Sequence, residues 1–223
     1  MNIVRNIFSF LTNPVFTLFY LFLIVSISNP QSFGIPDVFS EEGKILLIKT
    51  GINSIFLPFL AILLFKGLGF SKSLKFEDKK ERIVPYIIVA TFYLWTFINV
   101  LKNGGFPLIY KVGILGILIA LFLSFLINLQ VRISAHVVGF SSLIFFLLIH
   151  SGQISFNEII LGGEKYTWGS YLIPLLLVVL GLLVSLRNWD NQRSPREIFG
   201  AIGIAGISQL FSTQVIHIFL FVN

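Results

Sequence analysis

Six polar residues stand out in a chain that is otherwise apolar. Lys75 and Arg82 lie in the charged run "KFEDKKERIVP", Ser134 and His136 in "RISAH", and Arg187 and Arg193 in "RNWDNQRSPRE". Four are permanent or near-permanent cations, one is a hydroxyl and one an imidazole. Brought together, they supply what a phosphate monoester needs: charge neutralisation, bidentate guanidinium donors and a group that carries a proton. Each also has a plainer reading. A histidine at a helix start hydrogen-bonds in a polar interface, Lys79 and Lys80 belong to a solvated mixed-charge loop, and arginines border membranes. Whether the six meet depends on the elements between them.

Those elements are membrane spans. The chain has 223 residues, of which 56% are hydrophobic and only 12% charged, and a mean hydropathy of +0.91. A soluble domain carries about a quarter charged residues, so this composition cannot clothe a water-facing surface. The absence of cysteine removes disulfides, thiolate nucleophiles and thiolate metal sites. His150 and His217 stand alone in apolar sequence with no partner at metal-ligand spacing, so no metal is expected. No soluble region is large enough to form a nucleic-acid-binding face.

Apolar runs approaching the roughly 20 residues of a span predict an all-α bundle of six or seven transmembrane helices, forming one integral membrane domain over residues 1–223. The expected spans are Val15–Ile27, Ile45–Phe65, Pro85–Leu101, Leu108–Leu129, Ala135–Ile149, Tyr171–Leu186 and Ile198–Val222. The first also has the look of a secretory leader and is read as a retained span. An amphipathic stretch precedes it, Pro85 falls in the first turn of its helix, and residues 152–169 form a polar loop. Asn53, Asn99, Asn128 and Gln214 are expected to hydrogen-bond between helices. Gly113, Gly116, Gly181, Gly200, Gly203 and Gly206 are expected at close helix contacts. Alternation of the spans then carries Lys75, Arg82, Ser134, His136, Arg187 and Arg193 to one membrane face.

In this order the three segments resemble the type-2 phosphatidic acid phosphatase family, the membrane relatives of vanadium haloperoxidases, and more narrowly its short Bacteroidetes members. The family's first motif is Lys, six residues, then Arg, followed by Pro; Lys75 and Arg82 have that spacing, with Pro85 two residues late. Its Ser-Gly-His motif corresponds to Ser134-Ala135-His136. Its third motif, Arg, five residues, His, with an acidic or amide residue four further on, corresponds to Arg187 and Glu197, with Arg193 in the histidine's place. The resemblance covers about residues 45–205 and implies a six-helix core in the inner membrane of a bacterium. It also implies a phosphorylated lipid as ligand, no cofactor, His136 as general acid, and Lys75, Arg82, Ser134 and Arg187 as phosphate ligands.

The departure at 193 bears on activity. The family's third-motif histidine attacks phosphorus, whereas a guanidinium stays protonated and offers no lone pair. Arg193 is therefore a further phosphate donor, and the resemblance implies a site that binds a lipid phosphate such as phosphatidate or undecaprenyl phosphate without the covalent route. Two alternatives stand beside it: a working phosphatase in which His136 activates water, and a partner subunit that has lost the ligand. Basic residues are more numerous on the motif face, which the positive-inside rule assigns to the cytoplasm; the family's site usually faces outward.

Overall fold

A computed structural model describes residues 11, 13–69, 79–131, 133–152, 159–161, 164–166, 176, 178, 179, 181–183 and 195–221; for 79–82, the two strands, 217 and 219–221 it describes the backbone alone. Helix α1 is Thr17–Ser28, entered through a 3-10 turn at Pro14–Phe16. Helix α2 runs Glu41–Gly67 and is interrupted at Ile52–Phe56 by a π-helical turn just ahead of Pro58. Helices α3 (Lys79–Lys102), α4 (Leu108–Asn128), α5 (Ala135–Ile149) and α6 (Pro195–Phe221) follow. Between α5 and α6, residues 176, 178, 179 and 181–183 are helical, and the expected polar loop contains an antiparallel hairpin, Ile159–Leu161 with Glu164–Tyr166.

Four segments are long and apolar enough to cross a membrane: Glu41–Gly67, Ile83–Lys102, Leu108–Asn128 and Pro195–Ile216. The chain is an integral membrane protein. The expected six or seven spans reduce to these four among the described residues, because Pro14–Ser28 and Ala135–Ile149 are shorter apolar helices and the sixth run is only partly described. At 1.5 Å per residue the 12 residues of α1 rise about 18 Å, against a hydrocarbon core of about 30 Å.

Burial explains how so short a helix is kept. No residue from Pro14 to Ser28 is exposed, and Leu18, Leu21 and Phe22 are completely enclosed. A helix apolar on every side has no polar face to give to solvent and sits inside a bundle. Helix α1 packs on α4 and α5, and α6 packs on both as well. Its start is tied to α3 through Tyr93, whose hydroxyl lies 2.9 Å from the Val15 carbonyl and 3.1 Å from that of Pro14, and accepts the Leu18 N–H at 3.3 Å. By contrast α2 is peripheral, with Ile45, Ile48, Ile52, Phe56 and Leu64 exposed to the surroundings.

Close approach depends on glycine at several crossings. A Cβ on Gly139 of α5 would stand 2.5 Å from Thr17 Oγ1 of α1, and one on Gly113 of α4 would stand 2.8 Å from Leu21 and from Phe146. Gly116, Gly181 and Gly206 are likewise closely faced, by Gln209, Phe140 and Phe145. Gly200 and Gly203 depart from expectation: the first has only ordinary contact with Ile133, and the second faces open space. Asn99 also departs. It is exposed and donates to the Trp95 carbonyl of its own helix at 3.0 Å, so it links no helices.

Pro85 lies deeper in its helix than expected. Helix α3 begins at Lys79, so the charged residues 79–82 are helical and Pro85 is interior. Lys and Glu are good helix formers, which lets the run extend the helix outward past the apolar span. The proline lacks the N–H that would bond the Glu81 carbonyl, leaving that turn slack at the start of the span.

Candidate functional site

The last turn of α4 and the first of α5 are joined by a short link that carries Ser134. Asn128 holds this link. Its Oδ1 accepts the Ile133 N–H at 2.9 Å, and its Nδ2 donates to the Ser124 carbonyl at 2.9 Å and to the Tyr86 hydroxyl of α3 at 2.9 Å. A longer contact of 3.4 Å reaches the Ile133 carbonyl. One carboxamide thus closes α4, fixes the link and fastens both to α3. Ser134 then occupies the N-cap position of α5, where its carbonyl accepts the Val138 N–H at 3.0 Å. Ser134 is buried, and His136, in the first turn of α5, is half-buried.

Ser134 and His136 open onto a cavity of about 460 Å³, within the range of small-molecule sites. Its walls come from one end of the bundle: the start of α1, the second half of α2, the first half of α3, the second half of α4, the first half of α5 and the first turn of α6. The second half of α2, the link after α4 and the start of α6 therefore all meet at this end. Its lining combines apolar residues, among them Val89, Ile117 and Leu121, with polar ones, among them Tyr86, Ser124, Asn128, Ser142 and Glu197.

Three of those polar groups have no hydrogen-bond partner. Ser124 Oγ, Ser142 Oγ and Glu197 Oε2 are all buried and unsatisfied, and each such group costs about 1–3 kcal/mol unless something in the cavity meets it. Most other hydroxyls in the bundle bond back to their own helix. Ser54 donates to Thr50 O at 2.6 Å and Ser208 to Ile204 O at 2.7 Å.

Of the six residues singled out by type and spacing, Ser134 and His136 line the cavity. Arg82 lies on α3 one turn before Tyr86, which also lines it; the Arg82 side chain is outside the description. Lys75, Arg187 and Arg193 lie outside the described residues, as does all of the amphipathic N-terminal stretch except residues 11 and 13. Glu197, four residues beyond Arg193, is on the cavity wall. Sequence reasoning passed over Ser124, Ser142, Tyr86 and Tyr93, because single hydroxyls in apolar runs carry no spacing signal.

Fold and cavity together define a helical integral membrane protein with an amphipathic chamber at one end of its bundle. No protein-family model, curated protein or solved structure matches the chain. What the chamber does must be argued from its own residues.

Proposed function

We propose that the chain binds a phosphorylated membrane lipid in this chamber, as a member of the type-2 phosphatidic acid phosphatase group with a six-helix core and a site that no longer turns its ligand over. One observation carries the reading. Residues from all three polar segments, or within a turn of them, border one cavity although they are far apart in sequence: Tyr86 after Arg82, Ser134 with His136, and Glu197 after Arg193. The cavity has the mixed character a lipid requires, with Tyr86, Ser134, His136 and Glu197 beside a largely apolar lining. With arginine at 193 the phosphate gains a donor, and the attack that would form a phosphohistidine has no electron pair to start it.

Purified full-length protein should release phosphate from phosphatidate or a polyprenyl phosphate at a rate near background, yet be stabilised thermally by either lipid. Arg193→His restores an imidazole at the attacking position, and the expected result is measurable phosphate release that His136→Ala removes. Efficient release by the natural protein, unchanged in Arg193→Ala and abolished in His136→Ala, would overturn the inactive reading in favour of water attack assisted by His136. Absence of both release and lipid stabilisation would leave a structural subunit.

A further inference from the structure

Helix α2 is weakened at its middle by three features that coincide. Its π-helical turn closes with the Leu57 N–H on the Ile52 carbonyl, one residue wider than an α-turn. Pro58 follows directly and has no N–H to give back to that turn. Within the turn, Ser54 is fully enclosed and its hydroxyl bonds the Thr50 carbonyl at 2.6 Å, a back-bond that bends helices. A π-turn, a proline and a back-bonded serine are each recognised causes of a bend.

The bend is seated, and the half beyond it is lightly held. The π-turn packs on α1, on the 3-10 turn that precedes α1, and on α3. Beyond it, Leu57–Gly67 has α3 as its main neighbour from another helix, and only Pro58 and Ile62 are buried. Leu60, Leu63 and Leu64 are exposed on a helix long and apolar enough to cross the membrane, so they face lipid. From the same two turns, Phe59 and Ile62 line the cavity. On this side a single helix therefore stands between the cavity and the bilayer. Across the seam, α3 lines the cavity with Pro85, Tyr86, Val89 and Tyr93, and its slack turn before Pro85 lies at the same place.

We propose that Leu57–Gly67 is a side gate: swinging about Ile52–Phe56, it opens the cavity between α2 and α3 and admits the hydrocarbon chain of a bilayer lipid. The route suits the occupant. A chain passing from the side of Leu60, Leu63 and Leu64 to that of Phe59, Ile62 and Val89 never leaves apolar surroundings, whereas a path through water costs free energy for every methylene exposed. In taking a lipid as occupant the gate rests on the reading above; it adds the way in and the part that moves, and makes no use of the phosphate.

The absence of cysteine from the chain makes the test clean. Two double variants, Leu64→Cys with Phe199→Cys and Ile48→Cys with Phe199→Cys, place thiols at exposed positions beyond and before the hinge. Nitroxide labels on full-length protein in nanodiscs then give both distances by double electron–electron resonance. Adding dioleoyl phosphatidate should shift or split the distance from 64 to 199 and leave that from 48 to 199 unchanged. Uptake is timed by stopped flow with a fluorescent phosphatidate. Pro58 is not among the cavity's lining residues, and Pro58→Ala restores an N–H to the turn. It should slow association and dissociation together, several-fold, with affinity nearly unchanged, which marks a gate and not a contact. Deleting Asn53, which removes the extra residue of the π-turn, should do the same and is an independent check. A 64-to-199 distance that stays fixed while phosphatidate binds, or rates untouched in both hinge variants, overturns the gate. A distance that responds to dioleoylglycerol, with no binding of phosphatidate, keeps the gate and removes the lipid-phosphate reading instead. If neither lipid binds, the gate falls together with that reading.

Discussion

Replacing Asn128 by alanine removes the fastening between α3, α4 and the Ser134 link, and its cost follows from the hydrogen bonds its carboxamide makes. The bond to the Ser124 carbonyl is local and the 3.4 Å approach to Ile133 O is weak. The two that matter join separate elements: the Tyr86 hydroxyl and the Ile133 N–H, each at 2.9 Å. Ile133 is 7% exposed, so its N–H is left in a dry site without an acceptor. One net hydrogen bond at about 1 kcal/mol and one stranded donor at about 1–3 kcal/mol give about 2–4 kcal/mol in all. For a chain of this length, each kcal/mol shifts the midpoint by about 2–4 °C, so the expected loss is about 5–15 °C. Thermal unfolding of detergent-solubilised protein, followed by tryptophan fluorescence, reads this directly. Asn99→Ala is the control: the same residue type on an exposed face, bonded only to its own helix, expected to move the midpoint by less than about 2 °C. Equal shifts in the two variants would refute the assignment of Asn128 as the fastening. A large shift in Asn128→Ala that leaves lipid binding untouched would keep the fastening and count against a role for Ser134 in the proposed lipid site.

Further outcomes follow from the packing. Tyr93→Phe removes the hydroxyl that accepts the Leu18 N–H and bonds the Val15 carbonyl, while the Pro14 carbonyl keeps the Thr17 N–H; the expected loss is about 1–3 kcal/mol, with the start of α1 becoming sensitive to proteolysis. Gly139→Ala and Gly203→Ala should differ in sign. The first drives a methyl to 2.5 Å from Thr17 Oγ1 and should destabilise by about 1–3 kcal/mol. The second meets open space in a helix and should stabilise by about 0.5–1 kcal/mol. Both are read as midpoint shifts in the same thermal assay.

The helices were legible in the sequence because, in lipid, a helix must satisfy its own backbone, and an apolar run therefore says both where and what. Their depth in the bundle was not. The thirteen-residue, mostly apolar run at 15–27 looks like an undersized span, and only its enclosure shows that α1 needs no bilayer of its own to match. Pro85 was misplaced because the charged residues 79–82 read as loop although they are good helix formers. Ser134 and His136 were legible by spacing and residue type. Asn128 was visible as a polar group at a helix end, but its partners lie 5 and 42 positions away in the chain, and nothing in a single sequence names them. Ser124 and Ser142 were illegible for a sharper reason. Serines in apolar helices ordinarily bond back to their own carbonyls, and the residue letter does not distinguish those that do from those that do not.

The enclosure of α1 has a consequence for how the protein is made. Synthesis delivers this helix before any of the helices that surround it, yet its described residues are fewer than a span needs, and it carries Thr17, Ser26 and Ser28 among its enclosed residues. Until Tyr93 of α3 can receive its first turn and α4 and α5 can close over it, it has no finished place to occupy. Assembly therefore runs against the order of translation: the earliest of these helices is the last to be seated.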